Sequence, residues 1–435
     1  MAIGMNPFLS NGGKGSKYNR LFEWGRLISI TAFAQVLVQG IALVSGILVI
    51  RLLPTKEYAL YTLANTMLGT MTLLADGGIS TSVMAQGGSV YRDKEKLGIV
   101  LSTGLQLRKK FAVGSLLIAT PILFYLLYHH GAPVLMSVLI VISLVPTFFA
   151  SLSDTLLEIA PKLNQNIIAL QRNQIASNFS RLVLTSITLF AFPFAFLAIV
   201  AAGISRIWAN FRLRRITNEY AEITKASDPV TEREIIKTVK RILPGAIYYC
   251  VSGQITIWLI SVFGSTDSVA EVGALGRLSA LLMLFNVLFS TLIVPRFARL
   301  PKTKSLLLKR YFQLHIIILI ISIVIVGLVS LFPEQILWIL GKNYAGLTTE
   351  IKLNIIGSCL SLIAGCSFLL YTSRGWVIYP VISIGISVAS IIAGVLFFNV
   401  SSLLGIFKMN IFLAVVQVLL HGTYGILKIV KLKTV

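Results

Sequence analysis

Residues 51–82 read RLLPTKEYALYTLANTMLGTMTLLADGGISTS, and this stretch decides the fold. A short polar turn, Pro54-Thr55-Lys56-Glu57, opens an apolar run that closes at Asp76-Gly77-Gly78. At roughly 1.5 Å of rise per residue, the run 58–75 is about long enough to cross a bilayer as a helix. A similar shape returns over residues 266–295. There Glu271-Val272-Gly273-Ala274-Leu275 falls in register with Glu57-Tyr58-Ala59-Leu60-Tyr61. Two echoes of one membrane helix predict a chain built from two related halves.

Composition sets the class. The chain is 56% hydrophobic and only 12% charged, against about 25% charged residues in a soluble domain. This is the profile of an integral membrane protein. Cys250, Cys359 and Cys366 fall in apolar runs without metal-ligand spacing and read as packing residues. His129, His130, His315 and His421 are scattered, so neither a metal site nor a cofactor is expected. The N-terminus is polar and basic and its first apolar run is too long for an h-region, so no removable signal peptide is expected.

Working outward along the chain, apolar runs over 27–50, 58–83, 111–128, 134–157, 173–192 and 194–211 predict six spanning helices. A second six follow at 243–263, 270–294, 311–332, 351–371, 376–398 and 403–427. The expected architecture is therefore all-α and polytopic, with twelve transmembrane helices in two six-helix lobes. The divisions fall at 1–26 (a cytoplasmic segment with an amphipathic stretch near Tyr18 to Trp24), 27–211 (first lobe), 212–242 (cytoplasmic connector), 243–427 (second lobe) and 428–435 (tail). Inside the connector, Asp228-Pro229 reads as a helix break.

The formal charge of +22 has two readings, nucleic-acid binding or the positive-inside bias of a membrane protein. Position decides between them. Lys and Arg cluster at 86–110, 212–241, 296–310 and the C-terminal tail, while the turns on the other side hold only Arg51, Lys56, Lys342 and Lys352. The skew puts both termini in the cytoplasm and makes a nucleic-acid partner unnecessary; the lipid bilayer is the partner that composition demands. With six helices per half, the halves insert as parallel repeats, a layout of alternating-access transporters.

The stretch 51–82, with EVGALGRLSALLMLFNVLFSTLIVPRFARL from Glu271 and FPEQILWILGKNYAGL from Phe332, resembles a known family. These patterns are similar to those of bacterial polysaccharide transporters. That family comprises the lipid-linked oligosaccharide flippases of the multidrug/oligosaccharidyl-lipid/polysaccharide exporter superfamily. The resemblance covers essentially the whole chain and rests on helix-and-turn patterns rather than on a catalytic signature. It implies two lobes around a central cavity in the inner membrane. It also implies transfer of polyprenyl-diphosphate-linked glycans to the outer leaflet for O-antigen, capsule or exopolysaccharide synthesis. A polysaccharide polymerase and chain-length proteins would be further partners.

Such cargo asks for fixed cations in a watery cavity, and arginine suits it because its guanidinium stays charged and grips phosphate in a bidentate way. Ionisable residues inside spanning helices are costly and are candidates on that ground. Arg277, beside Gly273 and Gly276, reads as a cavity cation, a buried ion pair or a snorkel to the interface. Arg181 and Lys408 are cavity or interface cations, and Arg206 is an anchor near a helix end or a cavity residue. Arg26, just before the first helix, is an anchor or sits at the cavity mouth. Among acids, Asp76 ends the second helix. Asp154 and Glu158 share a face through their i, i+4 spacing and either bind a coupling ion or pair with Arg181 or Arg172. Glu57 and Glu271 open matching helices, where the helix dipole favours an acid. Gln35, Gln39, Asn65, Gln254, Asn286 and Asn410 hydrogen-bond sugar hydroxyls or tie helices together.

Three rivals stand beside the flippase. A small-molecule or multidrug exporter of the same superfamily would carry amphipathic cations and lean on acidic cavity residues. A peptidoglycan-precursor flippase usually has more than twelve helices. A membrane glycan polymerase or ligase would need a sizeable outer loop, and the outer turns here are short, so an enzyme is not expected.

Overall fold

The structure, a computed structural model, describes residues 15–432 apart from 165, 225, 280–281, 295–296, 298–299, 302, 375 and 377. Pro295 and the side chains of Tyr18, Trp24, Arg26 and Cys250 lie outside the described residues. All regular structure among those described is helical. The first half comprises α1 (Gly15–Leu52), α2 (Thr55–Asp76), α3 (Ile79–Val90), α4 (Lys94–His129), α5 (Val134–Leu157), α6 (Ile159–Leu163), α7 (Ile167–Ala191) and α8 (Ala195–Asn218). The second comprises α9 (Pro229–Phe263), α10 (Thr266–Ser279), α11 (Leu282–Leu288) with a π-helical turn (Phe289–Ile293), α12 (Lys304–Leu331), α13 (Pro333–Leu340), α14 (Thr348–Thr372), α15 (Pro380–Phe397) and α16 (Leu403–Val430).

Among the described residues, eight helices are long and apolar enough to cross a membrane on those grounds alone. The other crossings are the polar or broken ones: α2 with α3, α7, α9, and α10 with α11. Asn65 and Asp76, Asn173 to Arg181, and Arg277 lie on them. In a bilayer they are tolerated because protein, rather than lipid, surrounds their polar faces.

Local chemistry sets the breaks. Gly77 and Gly78 have φ of 48° and 96°, a left-handed pair that only glycine adopts cheaply, and they separate α2 from α3. Asp76 spans the break by accepting from the Ser80 amide (3.1 Å) and hydroxyl (2.8 Å). Asp93 caps α4 and Asp228 caps α9, where Pro229 takes the first helical position. Pro121, Pro146 and Pro244 sit inside continuous helices, whereas Pro380 starts α15 rather than bending it.

In the first half α1 packs on α7, α5 and α7 on α8, and α2 on α4; in the second, α14 packs on α12 and α16, and α15 on α16. The halves meet where α2 crosses α9 and α10. Gly273 permits this approach, since a β-carbon there would lie 2.6 Å from the Thr62 hydroxyl. The connector expected over 212–242 is not a free strand. Ile235 and Val239 of α9 are buried with Ile79, Val83 and Leu97 of the first half. The i, i+4 apolar stripe of this amphipathic stretch takes it onto that cluster.

At the end of the bundle opposite the termini, polar bonds join the halves. Arg51 donates to the carbonyls of Trp338 (2.6 Å) and Ile339 (2.9 Å), and Asn343 donates to Thr55 (3.2 Å). His130 bonds Thr266 (3.0 Å) and the Ser261 carbonyl (2.9 Å). The loop expected over 333–346 is mostly helix α13, with Leu337 and Leu340 buried.

Candidate functional site

A polar cleft of about 420 Å³ opens in the first half between α1, α2, α5, α7 and α8. Its chemistry follows from α7, whose polar residues fall at helical spacing. Asn173, Gln174, Asn178 and Arg181 all line the cleft. Asn65 of α2 and Gln35 of α1 face them.

Two carboxylates stand on the α5 side, and both are occupied. Asp154 accepts from Arg206 Nε (3.0 Å) and Asn210 Nδ2 (2.6 Å). Glu158 accepts from Lys162 (2.7 Å) and Gln174 (3.2 Å), and Gln174 in turn accepts from Gln35 (3.4 Å). The acids therefore pair structurally, but with Arg206 and Lys162 rather than Arg181 or Arg172. Arg181 donates to the Tyr61 hydroxyl at 3.2 Å. Among the described residues, no carboxylate forms an ion pair with Arg181 or Arg277.

Arg277 lies at the seam between the halves rather than in this cleft. Its Cδ packs against Gly46 of α1, 3.4 Å from where a β-carbon would stand. Its charge acts on the hydroxyls of Tyr58 and Tyr61. Tyr61 thus stands between one cation from each half. Gly276, beside Arg277, has open space at its α-carbon.

Two candidates sit elsewhere. Asp76 pairs with Arg108, whose side chain is 3% exposed and also donates to Thr155 and the Leu152 carbonyl. This is a buried clamp at the helix break, away from the cleft. Lys408 is exposed on the face of α16 that carries Leu404, Val415 and Leu419, and it lines neither of the polar clefts described here. Glu57 accepts from the Ala195 amide (2.7 Å), which fixes the start of α8.

A second cleft, about 290 Å³, lies between α9, α15 and α16. These are the first, fifth and sixth crossings of the second half, just as α1, α7 and α8 are of the first. Ser252, Ser383, Ser387, Ser390, Gln417 and His421 line it. Asn410, close by on α16, accepts from Thr256 (2.8 Å). Sequence reasoning did not single out Gln417, Gln174 or Arg108 as site groups. The first two carry a detectable signal, an amide inside an apolar crossing.

Among the described residues no cluster of three or more His, Cys, Asp or Glu side chains is placed to hold a metal ion. No family model matches this chain, and no curated protein does. Solved structures do match in fold. The chain is similar to a multidrug resistance MATE family transporter of the MOP superfamily in an inward-facing conformation. The TM-score is 0.69 at 14% identity, over 90% of this chain and 94% of that one. It is similar to the eukaryotic MATE transporter AtDTX14 (TM-score 0.65, 15% identity, 93% and 96% covered). It is also similar to a MOP superfamily transporter from Pyrococcus furiosus, described by the reverse polarity of its binding pocket (0.62, 17%, 94% and 96%). An outward-facing MATE structure scores 0.63. The fold is that of the MOP superfamily transporters.

Proposed function

We propose that this chain is an alternating-access exporter that carries amphipathic molecules by their polar head groups. The observation that carries this reading is the first-half cleft, a polar opening lined by amides and arginines inside a membrane fold. Ionisable and amide groups at that depth are expensive unless they serve a polar passenger. The bonds between the halves at the end opposite the termini support an inward-facing resting state. Cargo binding shifts the equilibrium only if the head group is held differently in the two states. Basic clusters near both termini support placing those ends in the cytoplasm of a bacterial inner membrane.

Two cargo classes fit. The multidrug transporters that share the fold support small-molecule export. The lipid-linked glycan reading is favoured by one specific observation: Arg181 and Arg277 form no ion pair with a carboxylate among the described residues, which suits a diphosphate. Under that reading the polyprenyl tail stays in lipid, and a polymerase and chain-length proteins act downstream. Proteoliposomes loaded with a cationic dye and cells lacking the protein separate the two. Dye efflux without change in the sidedness of lipid-linked oligosaccharide supports the drug reading. Intact oligosaccharide stranded on the cytoplasmic leaflet, restored by wild type but not by Arg181→Ala, supports the glycan reading. If neither cargo moves, the exporter proposal fails.

A further inference from the structure

The cleft between α9, α15 and α16 differs in kind from its counterpart. No Asp, Glu, Lys or Arg occurs among the described residues that line it. Four serines and Gln417 supply hydroxyls and an amide. Gln417 Nε2 donates to the Ser387 hydroxyl (2.8 Å), and Ser387 donates to the Ser383 carbonyl (2.8 Å). The Gln417 carbonyl oxygen and one lone pair on Ser387 remain as acceptors. The His421 ring is fixed through its Nδ1 by the Tyr371 hydroxyl (3.0 Å), with the Phe368 ring edge-on at 5.6 Å. The volume, about 290 Å³, is at the lower end of the ~300–1,000 Å³ common for small-molecule sites.

A drug cation would find no carboxylate here, and a phosphate no cation. We infer that this cleft is a second cargo subsite that holds an uncharged, polyhydroxylated group such as a sugar ring, while the first-half cleft holds the ionic part of the same passenger. The inference rests on the exporter reading and deepens it by giving each half its own chemical share of the cargo. Ser387 and Gln417 bridge α15 to α16, so a hydroxyl bonded to both also ties two crossings of the second half together.

The test uses the full chain in lipid nanodiscs and saturation-transfer NMR, which detects weak sugar binding. The probes are the neutral disaccharides maltose, lactose and N,N′-diacetylchitobiose. The expected result is transfer to at least one of them beyond that seen with empty nanodiscs. Affinity should fall roughly tenfold in Gln417→Leu, as expected when a partner loses its hydrogen bond, and be unchanged in Lys408→Ala, whose side chain lines neither cleft. Ser390→Ala, a milder change, provides a second variant if Gln417→Leu does not fold. No transfer to any of the sugars overturns the inference, as does transfer that both cleft variants leave intact. Sugar binding in a protein that moves no cargo would sink the exporter reading and reduce this one to a sugar-binding cleft with no cargo role. Transport with no sugar bound leaves the exporter reading standing and overturns this one.

Discussion

The two halves share an architecture and differ in chemistry. In the first, carboxylates and arginines are paired: Asp76 with the buried Arg108, and Asp154 with the part-exposed Arg206. In the second, several helix-to-helix contacts join neutral groups, His315 with Ser367 (2.7 Å), His421 with Tyr371 and Asn354 with Ser279 (2.8 Å), while Arg374 donates to the backbone carbonyls of Phe297 and Leu300 rather than to an acid. A repeated fold thus fixes where a polar group can stand without fixing what charge stands there.

If that contrast is real, breaking one contact in each half should give unequal losses. Arg108→Ala leaves Asp76 without its buried partner and is expected to destabilise the protein by about 3–5 kcal/mol, read as a lowered midpoint of thermal unfolding in detergent. Equal stability of variant and wild type would remove the claim that the first half is held by charge. Next in size, His315→Phe removes the bond to Ser367 and should cost about 1 kcal/mol; a loss as large as that of Arg108→Ala would erase the contrast.

The smallest effect concerns the junction at His130. Burial, helped by the repulsion of His129, holds its imidazole below the ordinary value of 6.5 against the opposing hydrogen bond to the Ser261 carbonyl. The joined state therefore binds fewer protons than the open or unfolded one. Its stability is complete above about pH 6.5 and declines as pH falls below that value. Spin-label distances across the end of the bundle opposite the termini should lengthen in mild acid, and His130→Asn should flatten the response.

Much of this was legible in residue order. The apolar runs locate the crossings, Asp76-Gly77-Gly78 marks a helix end, and the i, i+4 spacing of Asp154 and Glu158 puts them on one face. What residue order does not hold is who meets whom. Arg108 sits in a basic run and reads as a surface anchor, yet it is buried because α4 continues past that run and packs against α2 and α5. The partners of Asp154 lie on α8, and no local period points to them. Lys408 looks like a cavity cation by depth alone; its rotation about the α16 axis, set by packing on α14 and α15, turns it elsewhere.

One further consequence lies in α9. Its first turns are fastened to the first half: the Asp228 amide donates to Thr103 (3.0 Å), Lys110 pairs with Glu232 (2.7 Å), and Ile235 and Val239 are buried there. Its later turns line the cleft of the second half, and Pro244 lies between the two stretches of one unbroken helix. The halves are thus joined by a flexural rod rather than a slack leash. Any rocking between them must be stored as curvature in α9, which gives the two end states a restoring force that a loop would not supply.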